Sequence, residues 1–233
     1  MSTVACIFAR SGSKGIPNKN IQNFNGKPLI TWAVELAMSI KQIDRVFVST
    51  DSEEIAEIAK SAGAIVPFLR PSDLATDSSP EWLSWQHFIK FIESTDGELP
   101  KVFLSLPTTS PLRIAADVEN CLKEFNKGLS DFVIGITPSE RNPYFNMVKK
   151  DLNNCVDLVI RGGDQYSRRQ DTPDVFDITT VCYVGKPESI LTQNSIFEGK
   201  VVGVEIPRER AIDIDTPLDF KIAEFLHKTK KPE

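Results

Sequence analysis

Apolar and polar positions alternate along this chain in two rhythms. Short runs dominated by apolar residues at 4–9, 45–50, 102–106, 131–137 and 179–184 read as buried strands. Between them, apolar residues recur at helical spacing. Leu29, Trp32, Ala33, Leu36 and Ile40 define a helix over 28–40, and Asp51 or Ser52 caps a second over 53–62. Trp82, Trp85, Phe88, Ile89 and Ile92 mark a third, begun by Ser79-Pro80-Glu81, and Val118, Cys121, Leu122 and Phe125 a fourth over 117–125. A further short strand is predicted at 64–69, and Thr216-Pro217 opens a last helix. Strands alternating with helices predict an α/β fold on a mostly parallel sheet. From about 138 to 178 the rhythm lapses into short polar segments, which reads as an insertion within one domain spanning 1–233, with an Arg-Gly-Gly-Asp turn at 161–164.

Composition narrows the function. A chain of 233 residues, 41% hydrophobic and 25% charged, can bury a sizeable core. The net charge of −5 is unlike that of a nucleic-acid binder, so any phosphate ligand must be met by local charge. With no basic leader and no long apolar stretch, a cytoplasmic chain without membrane partners is expected. Cys6, Cys121, Cys155 and Cys182 are scattered and read as free thiols. His87 and His227 are the two histidines, which disfavours a His-rich metal site or a histidine triad. Any chemistry falls to Asp, Lys, Arg and a bound metal.

The basic residues concentrate where the first strand ends. Arg10, Lys14 and Lys19 surround Gly12 and Gly15, a composition that brings backbone N–H groups and cations to an anion. Neither generic glycine-rich phosphate motif fits this loop. Arg70 opens a polar loop, Pro107-Thr108-Thr109-Ser110-Pro111-Leu112-Arg113 follows a strand, and Arg168-Arg169-Gln170-Asp171-Thr172-Pro173 closes the insertion. Near the end, Asp213 and Asp215 alternate with Ile212 and Ile214, so an extended backbone projects both carboxylates to one side. Two such charges call for a cation between them, and hard oxygen ligands suit Mg²⁺.

Four of these motifs, Ala-Arg-Ser-Gly-Ser-Lys-Gly-Ile-Pro-Asn-Lys-Asn at 9–20, Pro-Thr-Thr-Ser-Pro-Leu-Arg at 107–113, Arg-Gln-Asp-Thr-Pro at 169–173 and Asp-Ile-Asp-Thr-Pro at 213–217, together resemble the CMP-sialic acid synthetase (acylneuraminate cytidylyltransferase) family and its relatives that make CMP-nonulosonates. The resemblance implies a Rossmann-like three-layer α/β/α nucleotidyltransferase fold and a homodimer exchanging the 138–178 region. The implied reaction joins CTP to a 3-deoxy-2-keto sugar acid and releases pyrophosphate, for use in surface glycans. It assigns Arg10, Ser11, Gly12, Ser13, Lys14, Lys19, Asn20, Arg70 and Ser110 to CTP. It assigns Thr108, Arg169, Gln170, Asp177, Thr179 and Tyr183 to the sugar, and Asp213 and Asp215 to Mg²⁺ or Mn²⁺. Arg10, Lys19, Asp213 and Asp215 form the expected catalytic set; which group takes the hydroxyl proton stays open.

The sequence departs from the family where the sugar is read. Pro107 replaces a common Gln, Thr179-Thr180 replaces Asn-Gly, and Asp177 stands where a basic residue is common. An acid sugar other than N-acetylneuraminate is therefore expected, with Asp177 meeting an amino substituent. A nucleotidyltransferase acting on a sugar 1-phosphate and a non-catalytic nucleotide-binding protein are the two alternatives.

Overall fold

The computed structural model describes residues 2–13, 15–161, 166 and 168–229. Strand β1 (Thr3–Phe8) lies parallel between β4 (Arg45–Ser49) and β5 (Val102–Ser105). Ahead of β4, the two-residue strands β2 (Asn23–Phe24) and β3 (Lys27–Pro28) form a hairpin that feeds helix α1 (Leu29–Ser39). Its turn is Asn25-Gly26, both at positive φ, the dipeptide that tight hairpins demand. Helices α2 (Glu53–Ser61), α3 (Glu81–Asp96) and α4 (Ala115–Phe125) follow. Strand β6 (Phe132–Pro138) leads into the small hairpin β7 (Val148–Lys150) and β8 (Val156–Leu158), then β9 (Phe176–Gly185), α5 (Pro187–Thr192), β10 (Val201–Glu205) and α6 (Pro217–Thr229).

The main sheet runs in the order β10, β6, β9, β5, β1, β4. It is parallel except for β9, which is antiparallel to both neighbours. Alternation along β1 explains the three layers: Ala5 and Ile7 pack under α1, α2 and α4, whereas Val4 and Cys6 pack under α3 and α5. Phe24, Leu29, Leu112, Ile214 and Ala223 form a third cluster that binds α6 and the Asp213–Asp215 segment to the edge of the core.

One expectation needs adjustment and another is narrowed. The predicted strand at 64–69 is reduced to isolated bridges of Ile65 with Phe47 and Leu69 with Thr50. Pro67, between them, has no N–H for the ladder that Ile65 N–H begins on Val46 O. Helix α2 is capped by Ser52, whose hydroxyl accepts from Ile55 N–H at 3.3 Å, leaving Asp51 for another task. Of the Arg161–Asp164 turn, only Arg161 lies among the described residues.

Candidate active site

A cleft of about 630 Å³ opens at the carboxyl ends of the parallel strands β1 and β5, beside residues 180–183 of the antiparallel β9. Its walls include Arg10, Ser13, Gly15, Lys19 and Asn20 from the loop after β1, with Arg70 and Asp77 from the loop before α3. Thr108 and Thr109 after β5, Thr180 and Tyr183 from β9, and Asp213 and Asp215 complete it. Lys14 belongs to the same loop by sequence and lies outside the described residues.

Hydrogen bonds hold the loop in shape. Asn20, buried, donates to Arg10 O at 2.9 Å and accepts from the Thr108 hydroxyl, linking the loop to β5. Ser11 donates its N–H and hydroxyl to the Asp51 carboxylate at 2.8 and 2.6 Å. Burial would raise the Asp51 pKa, but these two Ser11 bonds bring it below the usual carboxylate value. Ser11 therefore anchors the loop to β4 instead of lining the cleft. Gly12 is solvent-exposed with open space around it. Gly15 is different, because a Cβ there would sit 2.1 Å from Asp215 O.

That close approach joins the two ends of the chain. Lys19 Nζ donates to Ile214 O at 2.6 Å and to Asp215 Oδ1 at 3.2 Å. Beside them, Asp213 turns into the cleft with Oδ1 buried and without a hydrogen-bond partner among the described residues. Burial and then the charge of Asp215 raise its pKa, while the Thr109 and Thr180 hydroxyls oppose the shift. Ser110 lies fully buried behind the floor, its hydroxyl 2.7 Å from that of Thr180. Arg113 braces the same floor by donating to Val181 O at 2.6 Å and to Pro107 O; burial lowers its pKa to about 10.

Cations face the opposite wall. Arg10 pairs with Asp77, while Arg70 is buried and gives only Nη1, at 3.2 Å, to Ser84 Oγ. Its Nε and Nη2 have no partner among the described residues. A buried guanidinium with two idle donors fits an anionic or carbonyl-bearing ligand. Arg70→Met is expected to raise the KM for the nucleotide by about tenfold to a hundredfold while sparing the fold. Steady-state kinetics with nucleotide varied, beside a thermal melt, would check both.

The match of sequence profiles settles the family. The cytidylyltransferase family profile covers residues 4–224. The chain belongs to this family. Post-translational flagellin modification protein B of Campylobacter coli is 35% identical over 99% of this chain and 97% of its own length. CMP-N,N'-diacetyllegionaminic acid synthase of Campylobacter jejuni is 34% identical over 97% and 95%. The CMP:2-keto-3-deoxy-manno-octonic acid synthetase solved with CTP shares the fold at TM-score 0.70 and 16% identity, covering 98% of this chain and 99% of that one. This cytidylyltransferase is thus a nucleotidyltransferase on a mixed, mostly parallel sheet. Among its described residues, no helix is long and apolar enough to cross a membrane.

Not every expected sugar residue reaches the cleft. Tyr183 does, its pKa pushed up to about 12 by burial beside Glu81 and Asp213. Thr179 does not: it is buried with its hydroxyl against Gly135, and Thr180 takes its place on the wall. The cause is an irregularity in β9, where Tyr183 pairs with Ile134 but Ile178 with Ile136, so strict alternation fails. Asp177 is exposed on the same strand opposite Thr137, away from the cleft. Arg169 and Gln170 lie beyond β6, where Arg169 donates to Ser139 O at 2.6 Å. Arg169 also lines a separate groove of about 760 Å³, which holds neither the basic loop nor the aspartate pair. Sequence reasoning missed Thr109, Thr180 and Glu81 as wall residues; polar residues in the turn after β5 and at the first turn of α3 were the available signal.

Proposed function

We propose that this cytidylyltransferase transfers CMP from CTP to the anomeric hydroxyl of a 3-deoxy-2-keto sugar acid, releasing pyrophosphate. One observation carries the reading: Lys19 reaches Ile214 O and Asp215 across 195 and 196 positions of sequence, setting a triphosphate-type basic loop directly against an aspartate pair. Arg10 and Lys19 neutralise the leaving pyrophosphate, with Ser13 and Asn20 at the same end of the cleft. Each cation already has an anionic partner, Asp77 or Asp215, that substrate phosphate would replace. The sugar's hydroxyl attacks the α-phosphorus in line with the departing pyrophosphate, and positioning with charge neutralisation supplies most of the rate.

Asp213 and Asp215 would hold Mg²⁺ or Mn²⁺; the unpartnered Oδ1 of Asp213 and the two oxygen donors suit such an ion, whose other ligands would come from phosphate and water. When bound, the ion supplies charge stabilisation at the α-phosphate. The relative named for diacetyllegionaminic acid supports an acid sugar of that class as acceptor. We place the reaction in the cytoplasm, where CTP is made, serving surface glycans.

A homodimer fits the surface. Met147, Val148 and Val156 stand exposed on or beside the β7–β8 hairpin, with Phe176 and Ile178 exposed at the start of β9. Val148→Glu is expected to convert a dimer to a monomer in sedimentation; a wild-type monomer would refute the assembly.

The reaction is tested by pyrophosphate release with CTP, Mg²⁺ and a panel of acid sugars, with Asp215→Ala as control. Release with at least one acid sugar, lost in the control, is expected. CTP binding without release on any of them, or turnover on a sugar 1-phosphate, would overturn the reading.

A further inference from the structure

Glu81, the first residue of α3, is exposed to the cleft, with its carboxyl group set against Trp85 and Ser105. Trp85 Nε1 donates to its Oε1 at 2.9 Å, and Ser105 Oγ lies 3.4 Å from the same oxygen. No cation contacts it among the described residues; Arg70, whose charge it feels, gives its Nη1 to Ser84 instead. Burial raises its pKa. Both substrates of the proposed reaction are anions, so a carboxylate on this wall is unfavourable unless it accepts a particular hydrogen bond.

Position across the sheet indicates which substrate supplies that donor. The basic loop and Arg70 occupy the β1 and β4 end, and Arg70 N–H is bonded to Thr50 O just past β4. Glu81 lies over β5, one strand further toward β9: its neighbour Ser105 pairs with Cys6 of β1 on one side and with Tyr183 of β9 on the other. Tyr183 lies beside both Glu81 and Asp213 in the cleft, so Glu81 and the aspartate pair share its β9 side. Around it the cleft is lined by Trp82, Trp85, Tyr183 and Ile196. The indole N–H groups of the two tryptophans are already committed, Trp82 to Gln193 O and Trp85 to Glu81, so their rings offer apolar surface. One strong acceptor beside an aromatic wall complements an acylamino group, which brings an N–H and a methyl together. A hydroxyl would satisfy the acceptor and leave the wall without a partner.

We propose that Glu81 determines acceptor specificity by accepting a hydrogen bond from an acylamino substituent of the acid sugar. This gives Glu81 the task expected of Asp177, which lies outside the cleft, and it rests on the acid sugar being the acceptor. The test compares wild type with Glu81→Gln and Glu81→Ala on paired acid sugars that carry acetamido or hydroxyl groups at the same carbons, N-acetylneuraminate and its 5-hydroxy counterpart being the simplest pair. In both variants the KM for acetamido sugars is expected to rise about tenfold or more, with the KM for CTP little changed and hydroxyl sugars affected less. An unchanged acetamido KM, equal losses on both members of each pair, or a CTP KM that rises in step would overturn the assignment. Failure of wild type to release pyrophosphate with every sugar would refute the proposed reaction instead, so the two failures are distinguishable.

Discussion

Asp213→Asn is expected to lower pyrophosphate release by about a hundredfold to a thousandfold and, at neutral pH without metal, to raise Tm by roughly 2–4 °C. Both effects have one cause. Asp213 is half-buried beside Asp215, and its buried Oδ1 has no donor among the described residues. The fold therefore tolerates an ionised carboxylate there at a cost in stability, as sites built for a cation or a developing charge do. Asparagine keeps the shape and removes the charge. The folded-state pKa of Asp213 is raised, so the penalty on wild type is complete above that raised value and fades as pH falls. Below the ordinary Asp value of about 3.9, wild type is protonated in both states and the stability advantage of the variant should disappear. Melting curves across this pH range, paired with a pyrophosphate assay, measure both halves. A variant with near wild-type turnover would remove Asp213 from the chemistry, and one melting lower than wild type at neutral pH would refute the stability argument.

Gly15→Ala should be nearly as damaging while leaving every charged group in place. Its Cβ would meet Asp215 O at 2.1 Å, and that atom is backbone, so a side-chain rotation cannot relieve the clash. Either the loop or the aspartate segment must move, breaking the Lys19 bonds to Ile214 O and Asp215. Displacement of this order costs about a hundredfold in rate when it misaligns reacting groups, and overpacking costs about 1–3 kcal/mol in stability. Gly12→Ala should leave Tm unchanged, since nothing lies within 4 Å of a Cβ at that position. Equal effects of the two substitutions on Tm would show that the contact with Asp215 is not what requires glycine at position 15.

Much of this protein was legible in the order of its residues. Buried strands announced themselves as runs dominated by apolar residues because both faces of the central sheet are covered, and α2 carried its own cap in Ser52. The Asn25-Gly26 turn is equally legible in the sequence. Local chemistry also marked the two charged poles, the loop holding Arg10 and Lys19 and the Asp213/Asp215 pair, since each consists of residues close together in sequence.

Whatever depended on approach between distant segments was decided by tertiary structure. No local signal distinguishes Gly12 from Gly15; only the passage of residue 215 beside the loop does. The resemblance that groups Thr179 with Tyr183 at the sugar does not foresee that β9 is irregular against β6, which turns Thr180 to the cleft and Thr179 to the core. Glu81 reads in sequence as an ordinary first-turn helix acid, and it becomes a cleft acceptor because Trp85 and the ends of β5 and β9 gather around it. Sequence by itself determined the elements and the chemical types at each pole, because those follow from short-range periodicity and composition. Only packing decided which side chains share the cleft, because burial, register and close backbone contact are properties of segments that meet in space.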